Sequence, residues 1–257
     1  MQHQFRFFAV LICALLLSAC GLLPAQTDQT RDWPASKLYS EAHNSLNSGN
    51  YEQAIRYYES LEGRYPFSPF AQQALLETAY AYYRKNEPEL AIATIDQFIK
   101  LNPTHPHVDY AYFLKGVVNF NRGRGLLDRL LLPDPIQTDT APLRQSLNDF
   151  AVLVRSFPDS VYATDARERI SFLRNALARH ELDVAEFYMR RGAFAAAAER
   201  GIHVVNYYQE SDAVGDALAL MVRAYRSMEL HDQAADALDV LRRNHPARAD
   251  ELERTGN

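Results

Sequence analysis

The stretch Gly49 to Leu61, GNYEQAIRYYESL, reads as a turn followed by an amphipathic helix. Gly49 and Asn50 carry the turn, and Tyr51, Ala54, Ile55, Tyr58 and Leu61 then fall at helical spacing on one apolar face. Twelve residues before Ala54 stands Ala42, inside the earlier helical run LYSEAHNSL. Two helices joined by a short turn approach closely where each carries a small side chain, so this pair marks a crossing. Pro66 closes the unit, because proline cannot continue a helix.

The unit returns. Ala91 lies 37 residues after Ala54, and Pro103 lies 37 residues after Pro66. The small pair recurs at the same separation as Ala79 with Ala91, Ala185 with Ala197 and Val222 with Ala234. Gly116 and Ser146 are 30 apart, which is the usual twelve plus an insertion of eighteen. Pro158 and Pro246 close units three and five, and Gln209 fills that slot in unit four. Helix pairs recurring at this length resemble the tetratricopeptide repeat, whose period is about 34 residues. The expected fold is all-α: a right-handed α-solenoid of five such helix pairs over residues 34–247, whose stacked units present a concave groove.

Ahead of the repeats, Arg6 precedes the apolar run FFAVLICALLL, Phe7 to Leu17. Such a run is too short to span a bilayer but has the length of a secretory signal core. It ends in Leu17-Ser18-Ala19-Cys20, which looks like the lipobox of a bacterial lipoprotein. This predicts a signal peptide over 1–19, cleavage between Ala19 and Cys20, and lipid on Cys20 as S-diacylglycerol and N-acyl groups. By the same resemblance Gly21, where inner-membrane lipoproteins commonly carry aspartate, points to the outer membrane. Of the two cysteines, Cys13 leaves with the signal and Cys20 is consumed by lipid, so no disulfide is expected. Residues 20–33 read as the lipidated terminus and a polar tether. The eleven residues from Gly21 to Arg31 reach at most roughly 40 Å when stretched.

A formal charge of −5 over 257 residues argues against a nucleic-acid binder that works by neutralising phosphates. The chain is rich in aromatics, with 15 Tyr and 13 Phe, and some of them are expected to line the groove. On a tetratricopeptide frame the groove-facing slots are Tyr39, His43, Leu46 and Asn47 in unit one and Leu76, Tyr80, Tyr83 and Arg84 in unit two. In unit three they are Phe113, Val117, Phe120 and Asn121. Such slots favour an extended, aromatic-rich polypeptide.

Unit three is interrupted over 121–141 by a loop carrying Arg122, Arg124, Arg129 and a Leu-rich patch from Leu126 to Leu132, expected to dock a partner. Its RGRG follows no strand and precedes no lysine, so it is no phosphate loop. From Ser160 to Arg191 neither Gly nor Pro occurs, which predicts one long helix opening unit four, with Arg167, Glu168, Arg169 and Arg174 as a solvated face. Residues 248–257 read as a flexible tail. Chemistry is absent from the pattern. His105 and His107 sit in a Pro-rich turn that suits capping better than metal binding, no serine has a nucleophile elbow, and no enzyme, metal or cofactor is expected.

Three blocks carry a closer resemblance: RYPFSPFAQQALLETAYAYY from Arg64, LNPTHPHVDYAYFLKG from Leu101, and the segment Phe157 to Phe194. With the lipobox and the insertion they are similar to the BamD/ComL family, the tetratricopeptide lipoproteins of the outer-membrane β-barrel assembly machine. That resemblance implies a lipid-anchored protein on the periplasmic face of the outer membrane. Its C-terminal repeats would bind the POTRA part of the barrel-forming subunit, beside other assembly lipoproteins. Its N-terminal repeats would receive the aromatic-ended C-terminal signal of unfolded outer-membrane proteins, here at Tyr39, His43, Leu76, Tyr80, Tyr83 and Arg84. For the partner contact the sequence offers Arg200, read as an unpaired cation, with Arg190 and Arg191. Alternatives are a pilotin-like lipoprotein escorting a secretin, and a peptidoglycan- or competence-associated lipoprotein.

Overall fold

The computed structural model describes residues 30–122 and 139–255. The expected signal peptide, Cys20 and most of the unit-three insertion lie outside these residues. Among the described residues there are eleven α-helices and no strands. Unit one is α1 (Ala35–Asn47) and α2 (Tyr51–Arg64), and unit two is α3 (Ala71–Arg84) and α4 (Pro88–Leu101). Unit three is α5 (Val108–Asn121) and α6 (Ala141–Ser156), and unit four is α7 (Ala163–Arg190) and α8 (Phe194–Tyr207). Unit five is α9 (Val214–Ser227) and α10 (His231–Asn244), followed by α11 (Pro246–Thr255). Each helix packs on the next; α1 also touches α3, α3 touches α5 and α7 touches α9, while α5 meets α7 through the Phe120 and Phe172 rings.

The small-residue pairs lie at the crossings. Ala42, Ala54, Ala79, Ala91, Ala185, Ala197 and Val222 are fully buried. In unit three Ser146 Oγ donates to the Gly116 carbonyl at 2.8 Å, and a Cβ on Gly116 would stand 2.6 Å from the Phe150 ring. The backbone contact there replaces the Ala–Ala contact of units one, two and four.

Four of the turns inside the units share one geometry. Gly49, Asn86, Gly192 and Glu229 all have positive φ, each two residues before its second helix. In the first of these turns the Asn50 N–H reaches back to the Ser45 carbonyl and the Gly49 N–H to the Leu46 carbonyl, the Schellman closure. The left-handed residue is what lets the chain reverse within so few positions.

Three expectations are corrected. The long helix begins at Ala163, because Ser160 to Tyr162 form the turn, with Ser160 Oγ accepting from the Tyr162 N–H. At 28 residues it is about 42 Å long at 1.5 Å per residue. Its basic side chains are only partly a solvated face: Arg169 pairs with Asp165 and lies over the rings of Phe113, Phe120 and Phe150, and Arg174 pairs with Glu210. The end of the chain is no loose tail, since Pro246 starts α11, whose Ala249 and Leu252 are buried against α9 and α10.

Candidate functional site

A recess of about 290 Å3 opens where the first helices of units one to three meet the start of α7. Its lining comes from His43 and Leu46 of α1, Gln73, Leu76, Glu77 and Tyr80 of α3, His107 and Tyr110 around the start of α5, and Tyr162. Leu76, only 2% exposed, forms the floor, and the tyrosines form the walls. Burial foremost pushes the Tyr110 hydroxyl up to about 12, so it stays protonated and available as a donor.

The structure thus brings together His43, Leu76 and Tyr80 of the six groove residues expected from sequence. Tyr39 is displaced from the open recess, because its hydroxyl donates to Glu77 Oε1 at 2.8 Å and its ring stacks on Phe70 at 5.1 Å. Tyr83 lies just beyond, its ring 6.4 Å from that of Tyr80 and its hydroxyl accepting from Asn121 Nδ2 at 3.0 Å. Arg84 donates to the Tyr80 hydroxyl at 2.7 Å and covers the Tyr51 ring, which sets a cation at one end of the groove. In unit three Phe113 stacks on Tyr162 at 4.9 Å and extends the aromatic wall.

Sequence reading missed Glu77, the residue that organises this site. Its carboxylate accepts from Tyr39 at 2.8 Å, from His43 Nδ1 at 2.9 Å, from Gln73 Nε2 at 2.9 Å and from the Tyr58 hydroxyl. Burial alone would raise its pKa, but these hydrogen bonds, His43 foremost, outweigh it and hold the carboxyl below its ordinary range. Burial foremost, and then the same carboxylate, push the Tyr39 and Tyr58 hydroxyls well above theirs. The lining of the recess therefore carries, beside its apolar floor, a negative charge whose lone pairs are already used. A signal was present: Glu77 stands one residue after Leu76 and three before Tyr80, so helical spacing alone sets it beside two slots of the groove face.

At the other end of the chain Arg200 is not unpaired. Its guanidinium donates to Glu181 Oε2 at 2.9 Å, joining α8 to α7. Glu181 is buried and needs a cation, and the next helix supplies one 19 residues on. Arg200 also lines a recess of about 230 Å3 with Tyr188, Ala196, Glu199 and His203. Arg190 and Arg191 lie outside that lining, at the end of α7, where Arg191 covers the Phe187 ring at 4.3 Å. Among the described residues no group of side chains could hold a metal, and no helix is long and apolar enough to cross a membrane.

Residues 31–241 match the family model described as YfiO, outer membrane lipoprotein. The chain belongs to the YfiO family. Among its relatives is the outer membrane protein assembly factor BamD of Neisseria meningitidis serogroup B, 43% identical over 90% of this chain and 88% of that protein. The factor of the same name from Vibrio cholerae is 34% identical over 89% of this chain and 94% of its own length. A solved complex of yeast Sti1, the TPR2AB domain with pHSP90, covers 86% of this chain and 82% of its own at 14% identity, with a TM-score of 0.44. The matched residues of this YfiO-family chain take in both the Glu77 recess and the Arg200–Glu181 pair.

Proposed function

We propose that this chain is an outer-membrane protein assembly factor, anchored by lipid on Cys20 at the periplasmic face, that performs no reaction and works by holding polypeptides. The shared name of its relatives supports the assembly role. In this reading the groove of units one to three receives the aromatic-ended C-terminal segment of unfolded outer-membrane proteins. The C-terminal repeats hold the POTRA part of the barrel-forming subunit, with other assembly lipoproteins alongside.

The observation that carries the groove assignment is the recess floored by Leu76 and walled by Tyr80, Tyr110 and Tyr162. Such a surface suits an aromatic side chain, which buries large area at little entropic cost and pairs its ring edge with tyrosine faces. The polarity of the site also gives it a direction. Ionised Glu77 repels a terminal carboxylate from the floor, whereas Arg84 at the end of the groove attracts one. Binding of an aromatic-ended peptide from an outer-membrane protein, measured by fluorescence anisotropy, tests this. Replacing Tyr80 and Tyr83 with Ala should weaken it by tenfold or more, since truncating aromatic anchors costs about 2 kcal/mol or above. Unchanged affinity in a folded variant would refute the assignment.

For the barrel subunit, the supporting feature is the half-exposed Arg200, oriented by buried Glu181 beside Tyr188 and His203. Arg200→Glu should lose co-purification with that subunit. A charge-reversed chain that still co-purifies in full would remove the assignment.

A further inference from the structure

Buried apolar surface explains most large hydrophobic side chains here, so the exposed ones are informative. Among the described residues the most exposed are Phe67 at 100%, Val161 at 86%, Tyr207 at 71% and Leu101 at 62%. Each falls at a turn between units, where a second helix ends and the next first helix begins. All such turns of an antiparallel stack lie on one edge, opposite the turns inside the units.

Contacts tie three of these turns together. A recess is lined jointly by residues 103–106, 108–109 and 156–160, and Ser160 Oγ donates to Asp109 Oδ2 at 2.6 Å. The turn after α4 also shares a smaller recess with Gln72, from the first turn of α3. Tyr207 is set back, because the turn after α8 meets α7 at its middle, where the Asp212 N–H donates to Asn175 Oδ1 and Arg179 pairs with Asp212. Phe67, Leu101 and Val161 therefore form one apolar edge, and Tyr207 is not part of it.

The chain enters the fold at this same edge. Arg64, at the end of α2, donates to the Thr30 and Arg31 carbonyls, and the Tyr65 hydroxyl donates to the Trp33 carbonyl at 3.0 Å. Thr30 is thus held beside the turn that carries Phe67. Thr30 stands ten positions after Cys20, a reach of at most about 35 Å. Around these turns Arg64, Lys100, Arg155 and Arg167 stand against Glu62, Asp109, Asp159 and Asp165, so the edge is close to neutral and its apolar side chains, not its charge, favour a headgroup layer.

We propose that this edge rests on the bilayer surface, with Phe67, Leu101 and Val161 seated among the headgroups so that the solenoid stands on its inter-unit turns. The proposal rests on lipid attachment at Cys20. Interfacial seating of a few apolar side chains is weak alone, but a second signal beside an acyl anchor makes attachment durable and fixes orientation.

The test uses the lipidated chain in vesicles of phosphatidylethanolamine and phosphatidylglycerol, with nitroxide labels on Phe67→Cys, Val161→Cys and, at opposite-edge turns, Leu90→Cys and Leu230→Cys. Flotation reports anchoring, and collision with oxygen or with an aqueous nickel chelate reports depth. The labels at 67 and 161 should lose nickel collisions and gain oxygen collisions, while those at 90 and 230 stay wet. If the protein floats with all four labels equally wet, or those at 67 and 161 become protected only when a protein partner is added, the edge assignment is overturned and the anchor stands. If it does not float, both fall.

Discussion

At the scale of single residues, Glu77 shows how a groove can be pre-shaped by one partly buried acid. Four donors converge on it from α1, α2 and α3, so it orients His43 and Gln73 in the recess lining and ties units one and two together. Glu77→Gln puts an amide where only acceptors fit and should cost about 1 to 3 kcal/mol in thermal or urea unfolding. The pH dependence has a definite sign. A carboxyl held below its ordinary 4.5 in the fold contributes stability that is present above that value and lost as pH falls through the folded pKa. The gap between wild type and Glu77→Gln should therefore narrow from pH 7 towards pH 3, and a constant gap would contradict this role. A second residue-scale expectation concerns the left-handed turns. Glu229 holds φ 59 with a Cβ, where Gly49 and Gly192 hold the same position without one. Glu229→Gly should raise stability by up to about 1 kcal/mol, and Gly192→Ala should lower it by a similar amount.

At the scale of helices, crossings were the part of the structure most legible in sequence. A small residue every twelve positions across a turn reports a geometric necessity, and Ala42–Ala54, Ala79–Ala91 and Ala185–Ala197 are all fully buried. Ala54→Leu should overpack its crossing and cost about 1 to 3 kcal/mol. Partner choices among polar groups were not legible, because they depend on which helices the stack brings together. Arg200 looks free along its own helix and is paired only because Glu181 faces it from α7. The C-terminal helix was hidden for a related reason: its few apolar residues, Ala249 and Leu252, become a face only once α9 and α10 receive them. At the α5–α6 crossing, burial foremost raises the Asp149 carboxyl, and the buried Oδ1 of its donor Asn119 has no partner among the described residues. A raised carboxyl destabilises the fold as pH rises through its pKa. Asp149→Asn should therefore leave the melting temperature at pH 7 unchanged or raise it, and a marked drop would show that the Lys115 contact dominates.

For the whole molecule, five helix pairs place two distinct recesses far apart along the chain, one across the first three units and one beside the paired Arg200 in the fourth. The repeat period made the solenoid and half of the groove readable. Tyr110 and Tyr162 were not, because the frame tracks one helix face per unit, and these two reach the recess from the starts of their helices. The division of labour predicts independence: Tyr80→Ala with Tyr83→Ala should spare co-purification of the barrel subunit, and Arg200→Glu should spare peptide binding. In the proposed role, the recess around Leu76 and Tyr80 is where an unfolded outer-membrane protein is held. Photo-crosslinking residues placed at Leu76, Tyr80 and Tyr110, and at exposed Val240 on α10 as a control, test it most directly. Adducts to the C-terminal segment of an outer-membrane protein should form at the first three positions and not at 240, whereas equal or stronger crosslinking from 240 would contradict the account.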